Sequence, residues 1–161
     1  MSAVNHEASE PVRIATAAEA AEVARLIGGF RDYYGEELPA QETVMRTVAR
    51  LIGDPSTVFL LAGEPARGVA QLRFRLSVWT GAEDAWLEDV FVEPQARGRG
   101  IGRALTEACV ERARARGCRR IQLDANERNE AALALYRSLG FGSGSPRRWD
   151  GARDLYLTKR L

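Results

Sequence analysis

Cysteine, histidine and lysine are scarce in this chain, and the shortages of cysteine and histidine exclude several kinds of site. The 161 residues contain two cysteines and one histidine. Two cysteines are too few for a disulfide framework. Cys109 and Cys118 show no Cys/His spacing typical of a metal site, so we expect no metal. His6 lies in a polar stretch at the start of the chain, which leaves no histidine as a catalytic base. Lys159 is the only lysine, so the basic side chains are almost all arginine.

Long apolar runs and an excess of one charge are also missing. No stretch approaches the roughly 20 apolar residues that span a bilayer, and residues 1–10 lack the apolar core of a signal peptide. The formal net charge of +1 gives no field that favours nucleic acid or an anionic membrane. We therefore expect a cytoplasmic protein without nucleic-acid or membrane partners. Residues 1–10 are predicted to form a flexible tail, and residues 11–161 a single domain.

The periodicity of apolar residues predicts an α/β domain with a mixed, twisted sheet of about six to seven strands flanked by four helices. The predicted order is β-α-α-β-β-β-α-β-α-β-β. Thr16 and Glu19 match a capping box before the first helix, Arg31–Leu38 is expected to be a loop or broken helix, and Gly81–Asp84 a turn. The first helix is predicted to follow this capping box, and further helices to open near residues 39, 101 and 129. Strands are predicted to cover residues 12–15, 57–62, 69–79, 86–92, 118–123 and 155–161, with another at Phe141.

A glycine-rich loop, Gln95–Gly102, stands between a predicted strand and a predicted helix. Unpaired amides and the helix dipole make such a helix start an anion site, and arginines at 97, 99 and 103 add cations suited to phosphate. A tight turn that simply needs glycine is the alternative. The G-x-G-x-x-G dinucleotide fingerprint fails because Arg103 stands at its last glycine, and the Gly-Lys-Ser/Thr of a phosphate loop is absent.

Two motifs in order resemble those of the GNAT acyltransferase superfamily. Gln95-Ala96-Arg97-Gly98-Arg99-Gly100 has the form Q/R-x-x-G-x-G/A and follows a strand that ends Val90-Phe91-Val92-Glu93-Pro94. The segment Asn129–Tyr136 has the form N-x-x-A-x-x-x-Y and is followed by Leu139-Gly140-Phe141. The resemblance covers nearly the whole chain. It implies the GNAT fold and an acetyl-CoA-dependent N-acetyltransferase with acetyl-CoA as the donor.

The same resemblance implies which residues bind the donor. The amides from Arg97 to Gly102 would bind the CoA pyrophosphate, and backbone groups of Val90 and Val92 would pair with the pantetheine arm. Asn129 resembles the family asparagine that contacts this arm, although a helix N-cap explains it equally well. The expected cofactor-binding residues are Val90, Phe91, Val92, Gln95, Arg97, Gly98, Arg99, Gly100, Ile101, Gly102, Arg103, Asn129 and Tyr136.

Three side chains are candidates for the proton transfers of thioester aminolysis, which needs a neutral amine and a protonated leaving thiolate. Tyr136 resembles the family tyrosine near the CoA sulfur and is the candidate acid, whereas a core aromatic on the helix stripe is the alternative. Glu88 and Asp89 interrupt the apolar strand Trp86–Val92 and are the candidate bases. The Leu87-Glu88-Asp89 run resembles the polyamine and thialysine acetyltransferase branch, whose glutamate acts through water, and this favours Glu88.

Strict alternation along that strand groups Glu88 with Trp86 and Val90, and Asp89 with Leu87 and Phe91. A bulge, which is usual for the family, would change which acid faces the cleft.

The acceptor side has the weakest pattern. Acids and aromatic faces in Arg31–Leu38 suit a cationic amine, and this region often lines the acceptor side in the superfamily, although a solvated loop is an equal alternative. The expected substrate-binding residues are Tyr33, Tyr34, Glu36, Glu37, Trp79 and Glu88, with Glu83, Asp84, Trp86 and Trp149 as further rim candidates.

The sequence thus predicts direct transfer of an acetyl group from acetyl-CoA to a primary amine of a small molecule. A protein N-terminal or lysine acetyltransferase is the first alternative, and a non-catalytic acyl-CoA sensor is the second. Acceptor identity, acyl-chain preference and oligomeric state stay open, although homodimers are common in the superfamily.

Overall fold

The computed structural model describes residues 10–149 and 152–161, and only the backbone is described between 143 and 154. His6 and nearly all of the predicted tail lie outside the described residues, and so does the side chain of Trp149. The described strands are β1 (Val12–Ile14), β2 (Thr57–Ala62), β3 (Gly68–Ser77), β4 (Ala82–Val92), β5 (Arg120–Asn126), β6 (Gly142–Trp149) and β7 (Ala152–Arg160). The helices are α1 (Ala20–Tyr33), α2 (Gln41–Leu51), α3 (Ile101–Ala115) and α4 (Glu130–Ser138). This order confirms the predicted one.

All seven described strands belong to one mixed sheet with the order β1-β2-β3-β4-β5-β7-β6. The pair β4–β5 is parallel, and the other pairs are antiparallel. Alternation along β2 separates two cores: Phe59 and Leu61 pack with α1 and α2 on one face, whereas Leu60 and Ala62 pack with α3 and α4 on the other. Two apolar faces covered by helices give the α/β architecture that the periodicity predicted.

Helix α1 reaches Tyr33, so of the two alternatives predicted for Arg31–Leu38, a loop or a broken helix, the loop is wrong for the first three residues. The Gly28-Gly29 pair does not interrupt the helix. Glycine is needed at position 28 because a side chain there would collide with the Gln41 amide of α2. That amide donates from Nε2 to the carbonyl oxygen of Ala24 at 2.9 Å. The glycine therefore permits close helix packing, and α2 begins at Gln41, two residues after the expected Pro39.

Strand β4 begins at Ala82, inside the turn predicted over Gly81–Asp84. Asp84 is buried and accepts hydrogen bonds from Arg120 Nε at 2.8 Å and Thr80 Oγ1 at 3.0 Å. A charge placed between strands in this way is compensated by its partners, so Asp84 is a structural residue and not a rim residue of the site.

The two parallel strands stay together over a short distance only. Ala85 and Trp86 of β4 pair with Ile121 and Gln122 of β5, and no later pairs form in the described part of either strand. The two strands therefore diverge toward their carboxyl ends, which is where ligands bind in open α/β sheets.

A β-bulge lies beside this divergence. Asp89 pairs with Gln71 and Leu87 with Leu72, so Glu88 is the extra residue of β4. Leu87 joins the core under α3, while Phe91 joins the core under α1 and α2. The bulge therefore corrects the strict alternation: Asp89 stays in phase with Phe91 but no longer with Leu87.

Candidate active site

A cavity of about 890 Å³ fills the gap between the diverging strands β4 and β5. The end of α1, the glycine loop and the first turns of α3 and α4 complete its walls. Its lining includes most of the side chains and loop residues singled out from the sequence: Tyr33, Tyr34, Glu88, Asp89, Val90, Phe91, Val92, Arg97, Gly98, Gly100, Ile101, Gly102, Arg103, Asn129 and Tyr136.

Five of the expected cofactor- and substrate-binding residues lie outside this lining, as do the rim candidates Glu83, Asp84 and Trp86. Gln95 donates from Nε2 to Glu93 Oε2 at 3.4 Å, and Arg99 is exposed beside the loop. Glu36 and Glu37 are exposed beyond the end of α1. Trp79 lies in the turn after β3 and is 91% exposed. The structure therefore does not bring these five side chains to the cavity.

The glycine loop turns through left-handed backbone angles. Gly98 and Gly100 both have φ of 77°, a region that side chains with a Cβ strongly disfavour. Gly100 is the N-cap residue of α3, and it offers no side chain to its amides. The first amides of α3 are therefore left as donors at the cavity wall, which is the arrangement that binds an anion.

The three arginines of this region take different positions. Arg97 donates from Nε to the carbonyl oxygen of Val92 at 3.0 Å, and its guanidinium lies over the ring of Tyr33. Arg103 donates from Nη2 to Ser138 Oγ at 2.8 Å, so it links α3 to α4 while lining the cavity. Arg97 and Arg103 thus place positive charge on both sides of the loop amides.

Asn129 and Tyr136 come to the cavity through α4. Asn129 is the N-cap residue, and its Oδ1 accepts from the amide of Ala132 at 3.2 Å. The capping explanation is thus confirmed, and Asn129 also lines the cavity. Tyr136 lies further along the helix, with its ring edge-to-face with Phe141 at 5.8 Å.

Burial, followed by the nearby charges of Cys109, Tyr34 and Asp89, raises the pKa of Tyr136 to about 12. The phenol therefore stays protonated at neutral pH and can act as a hydrogen-bond donor. Tyr136 lines the same cavity as Asp89 and Tyr34. Tyr136 therefore packs in the hydrophobic core and also lines the cavity.

The two acids of β4 differ in environment. Glu88, the bulge residue, is exposed at the cavity, whereas Asp89 is half-buried in its wall. Burial, followed by the charge of Glu88, raises the pKa of Asp89 to about 6. A carboxylate with this pKa is ionised at neutral pH and is a stronger base than an ordinary aspartate.

Aromatic rings form the wall on the α1 side. Phe30 stacks on Phe91 with centroids 5.3 Å apart, and Tyr34 meets Phe30 edge-on at 5.3 Å. Tyr33 contacts Tyr34 edge-on at 5.4 Å. Phe91 is buried, so it anchors the exposed tyrosines to the sheet.

Four further polar or aromatic residues of the lining were not predicted from the sequence: Phe30, Asp124, Asn126 and Arg128. Asp124 and Asn126 alternate at the end of β5, and two polar residues at the open end of an otherwise buried strand were a usable signal. Arg128 had no such signal, because it sits in a short polar turn before α4.

Membrane-crossing helices and metal clusters are both missing from the described residues. None of the helices described combines the length and the apolar character that a membrane crossing requires. The same part of the chain contains no group of three or more His, Cys, Asp or Glu side chains that could hold a metal ion.

A sheet that splits at a bulged strand, with a glycine loop at a helix start beside the split, is typical of the class of α/β proteins that bind a phosphate-bearing ligand. Residues 24–141 match the family model described as "Acetyltransferase (GNAT) family". The chain therefore belongs to the GNAT acetyltransferase family, and it is an acetyl-CoA-dependent N-acetyltransferase with the GNAT fold.

Individual relatives agree with this family. The chain is 31% identical to thialysine N-epsilon-acetyltransferase from Bos taurus over 142 residues, which cover 80% of this chain and 82% of the relative. It is 34% identical to mycothiol acetyltransferase from Gordonia bronchialis over 140 residues, which cover 83% of this chain but 44% of that protein. A crystal structure assigned to an acetyltransferase from Arthrobacter sp. FB24 superimposes with a TM-score of 0.79 at 31% identity, covering 91% of this chain and 94% of that one.

Proposed function

We propose that this enzyme transfers an acetyl group directly from acetyl-CoA to the primary amine of a small molecule. The observation that carries the proposal is the meeting of three groups in one cavity: the loop amides at the start of α3, the carboxyl of Asp89 and the phenol of Tyr136. Aminolysis of a thioester needs an anion site for the donor, a base for the amine and an acid for the leaving thiolate.

The glycine loop and the start of α3 bind the CoA pyrophosphate in this proposal, with Arg97 and Arg103 as flanking cations. The sequence resemblance adds Val90, Phe91 and Val92 as the edge along which the pantetheine arm lies, and the described part of β4 has no strand partner there on the β5 side. An unpaired strand edge offers regularly spaced backbone groups to an extended ligand. The side chains of Gln95 and Arg99 lie outside the cavity lining.

Asp89 accepts the proton of the attacking amine, because its raised pKa and half-buried position suit a base at neutral pH. Glu88 stays in the machinery as the charge that raises the pKa of Asp89, and as a second acid facing the acceptor. Tyr136 gives its proton to the thiolate sulfur of CoA as the bond to the acetyl carbon breaks. The products are an N-acetylated amine and free CoA, without a covalent intermediate on the enzyme.

The acceptor is a small cationic amine. Glu88 and Asp89 supply negative charge at the cavity, and Tyr34 supplies an aromatic face, a combination that attracts ammonium groups. Two relatives support a small acceptor, since thialysine and mycothiol in their names are small molecules. Glu36, Glu37 and Trp79 lie too far out to contact an amine held between these groups.

Release of free thiol from acetyl-CoA tests this function. Amines from polyamines, amino acids and aminoglycosides are offered in parallel with peptides that carry free N-termini or lysines, and products are identified by mass spectrometry. We expect turnover with at least one small amine. Turnover with peptides alone identifies a protein acetyltransferase, and CoA binding without any thiol release identifies an acyl-CoA sensor. Either result rejects the proposal.

We also propose a cytoplasmic location and a homodimer, in keeping with the reduced cysteines and with the family resemblance. Cys109 and Cys118 are both buried and unpaired. Sedimentation of the purified chain measures the oligomeric state directly.

A further inference from the structure

Arg97 is held by contacts from two other segments. Its guanidinium carbon lies 4.2 Å from the ring centroid of Tyr33, at the end of α1, and 5.9 Å from that of Phe91 in β4. Its Nε donates to the carbonyl oxygen of Val92 at 3.0 Å. Within the described part of the chain, its terminal nitrogens have no carboxylate partner, although the side chain lines the cavity.

This arrangement has a consequence for a phosphate ligand. An exposed arginine normally loses considerable rotamer entropy when it binds, and a side chain that is already fixed loses less. Here the Nε hydrogen bond to Val92 and the contact with the Tyr33 ring restrict the guanidinium. The terminal nitrogens remain available as donors beside the loop amides at Gly98 and Gly100.

Tyr33 is itself well held, although its side chain is half exposed. It lies in the last turn of α1, its ring centroid is 6.4 Å from that of Phe91, and Tyr34 contacts it edge-on at 5.4 Å. One face of the Tyr33 ring is occupied by Arg97. That face cannot also receive the ammonium group of an acceptor, which contradicts a simple acceptor-binding role.

We propose that Tyr33 is a positioning residue for the donor: its ring holds the Arg97 guanidinium at the cavity mouth, ready for the pyrophosphate of CoA. The inference rests on the proposed function, in which this loop binds CoA. The contact between Tyr33 and Arg97 would join the end of α1 to the glycine loop, although more than sixty residues separate the two in sequence.

Calorimetric titration of the full chain with CoA tests the proposal. An exposed cation–π contact is worth little, so we expect Tyr33→Leu to weaken CoA binding about two- to five-fold, whereas Tyr33→Phe keeps the ring and restores binding. Arg97→Gln should weaken binding by more. In the Arg97→Gln background, Tyr33→Leu should have no further effect, because the two residues act through one contact. Trp79→Leu is the matched control for loss of an exposed aromatic ring.

Steady-state kinetics with an accepted amine separates positioning from acceptor binding. Tyr33→Leu should raise the KM for acetyl-CoA and leave the KM for the amine and kcat unchanged. Unchanged or tighter CoA binding in Tyr33→Leu overturns the inference, and so does a change confined to the KM for the amine. If the wild-type chain binds no CoA, the proposed function itself fails, and the two failures are thus distinguished.

Discussion

The proposed donor and acceptor sides of the cavity are built in different ways. The donor side uses backbone amides of a continuous loop, Gly98–Gly102, at the start of one helix. The acceptor side combines acids of β4 with rings from the end of α1, which come from distant parts of the chain. The loop can therefore be recognised in the sequence, whereas the acceptor side is assembled only when the chain folds.

This difference follows from what each side binds. CoA is the same for every member of the family, and backbone amides in a fixed turn suit its pyrophosphate. Acceptors differ between relatives such as the thialysine and mycothiol enzymes, and the proposed acceptor side is formed by side chains, which can change while the backbone is kept. Four substitutions test how separate the two sides are.

The largest effect is expected for Asp89→Asn, on the acceptor side. Removal of a general base lowers rates by about 10²- to 10⁴-fold, and we expect kcat/KM for the amine to fall in this range. CoA affinity should change little, because the carboxyl of Asp89 is not part of the loop. Thiol release and CoA titration measure the two quantities on the same preparation.

Glu88→Gln is the matched control for Asp89→Asn. It should reduce kcat/KM less and move the rising limb of the pH profile, near pH 6 in the wild type, to lower pH, since the charge of Glu88 raises the pKa of Asp89. If Glu88→Gln removes the limb and Asp89→Asn retains it, the glutamate favoured by the sequence resemblance is the base.

A smaller effect is expected for Tyr136→Phe. A thiol with a pKa of about 8.5 leaves without strong assistance, so we expect kcat to fall only about 10- to 100-fold. The KM for acetyl-CoA should stay the same. An unaltered kcat with an intact fold would remove Tyr136 from the mechanism and leave it as a core residue against Phe141.

On the donor side, Gly100→Val should weaken CoA binding about 5- to 30-fold. A β-branched residue at a φ of 77° is strained by roughly 1–2 kcal/mol, and this strain distorts the loop amides. Titration with CoA measures the loss. Gly142→Val is the comparison variant, because that glycine lies outside the loop and a Cβ added there would meet open space. Equal CoA binding in both variants would contradict the role of the loop in binding CoA.

The smallest effect concerns stability. The pKa of Asp89 is about 6 in the folded protein and about 3.9 in an unfolded chain. Because the folded pKa is raised, the protonated carboxyl favours the folded state below pH 4, and this contribution is lost as the pH rises through 6. Asp89→Asn should therefore stabilise the protein by about 1–3 kcal/mol at pH 8 and by little at pH 4. Urea unfolding at both values measures this, and equal effects at both would contradict the shift.

The sequence predicted the element order and most of the cavity lining, but its errors share a cause. The bulge at Glu88 changed the phase of β4 as the family resemblance allowed, but its position depends on pairing with β3, which no local pattern reports. Trp79, expected at the rim, lies at the tip of a hairpin far along β4 from the acids. Asp84, expected in a turn, is buried in β4, where Arg120 from another strand compensates its charge.

By itself, the sequence determined the fold class, the glycine loop and the order of the two motifs, because apolar periodicity and glycine positions act over a few residues. Only the tertiary structure decided where β4 and β5 separate, which acid is buried beside the cavity, and that Arg97 lies on Tyr33. These features depend on contacts between residues distant in the chain, and their energies arise from packing and desolvation that exist only in the folded protein.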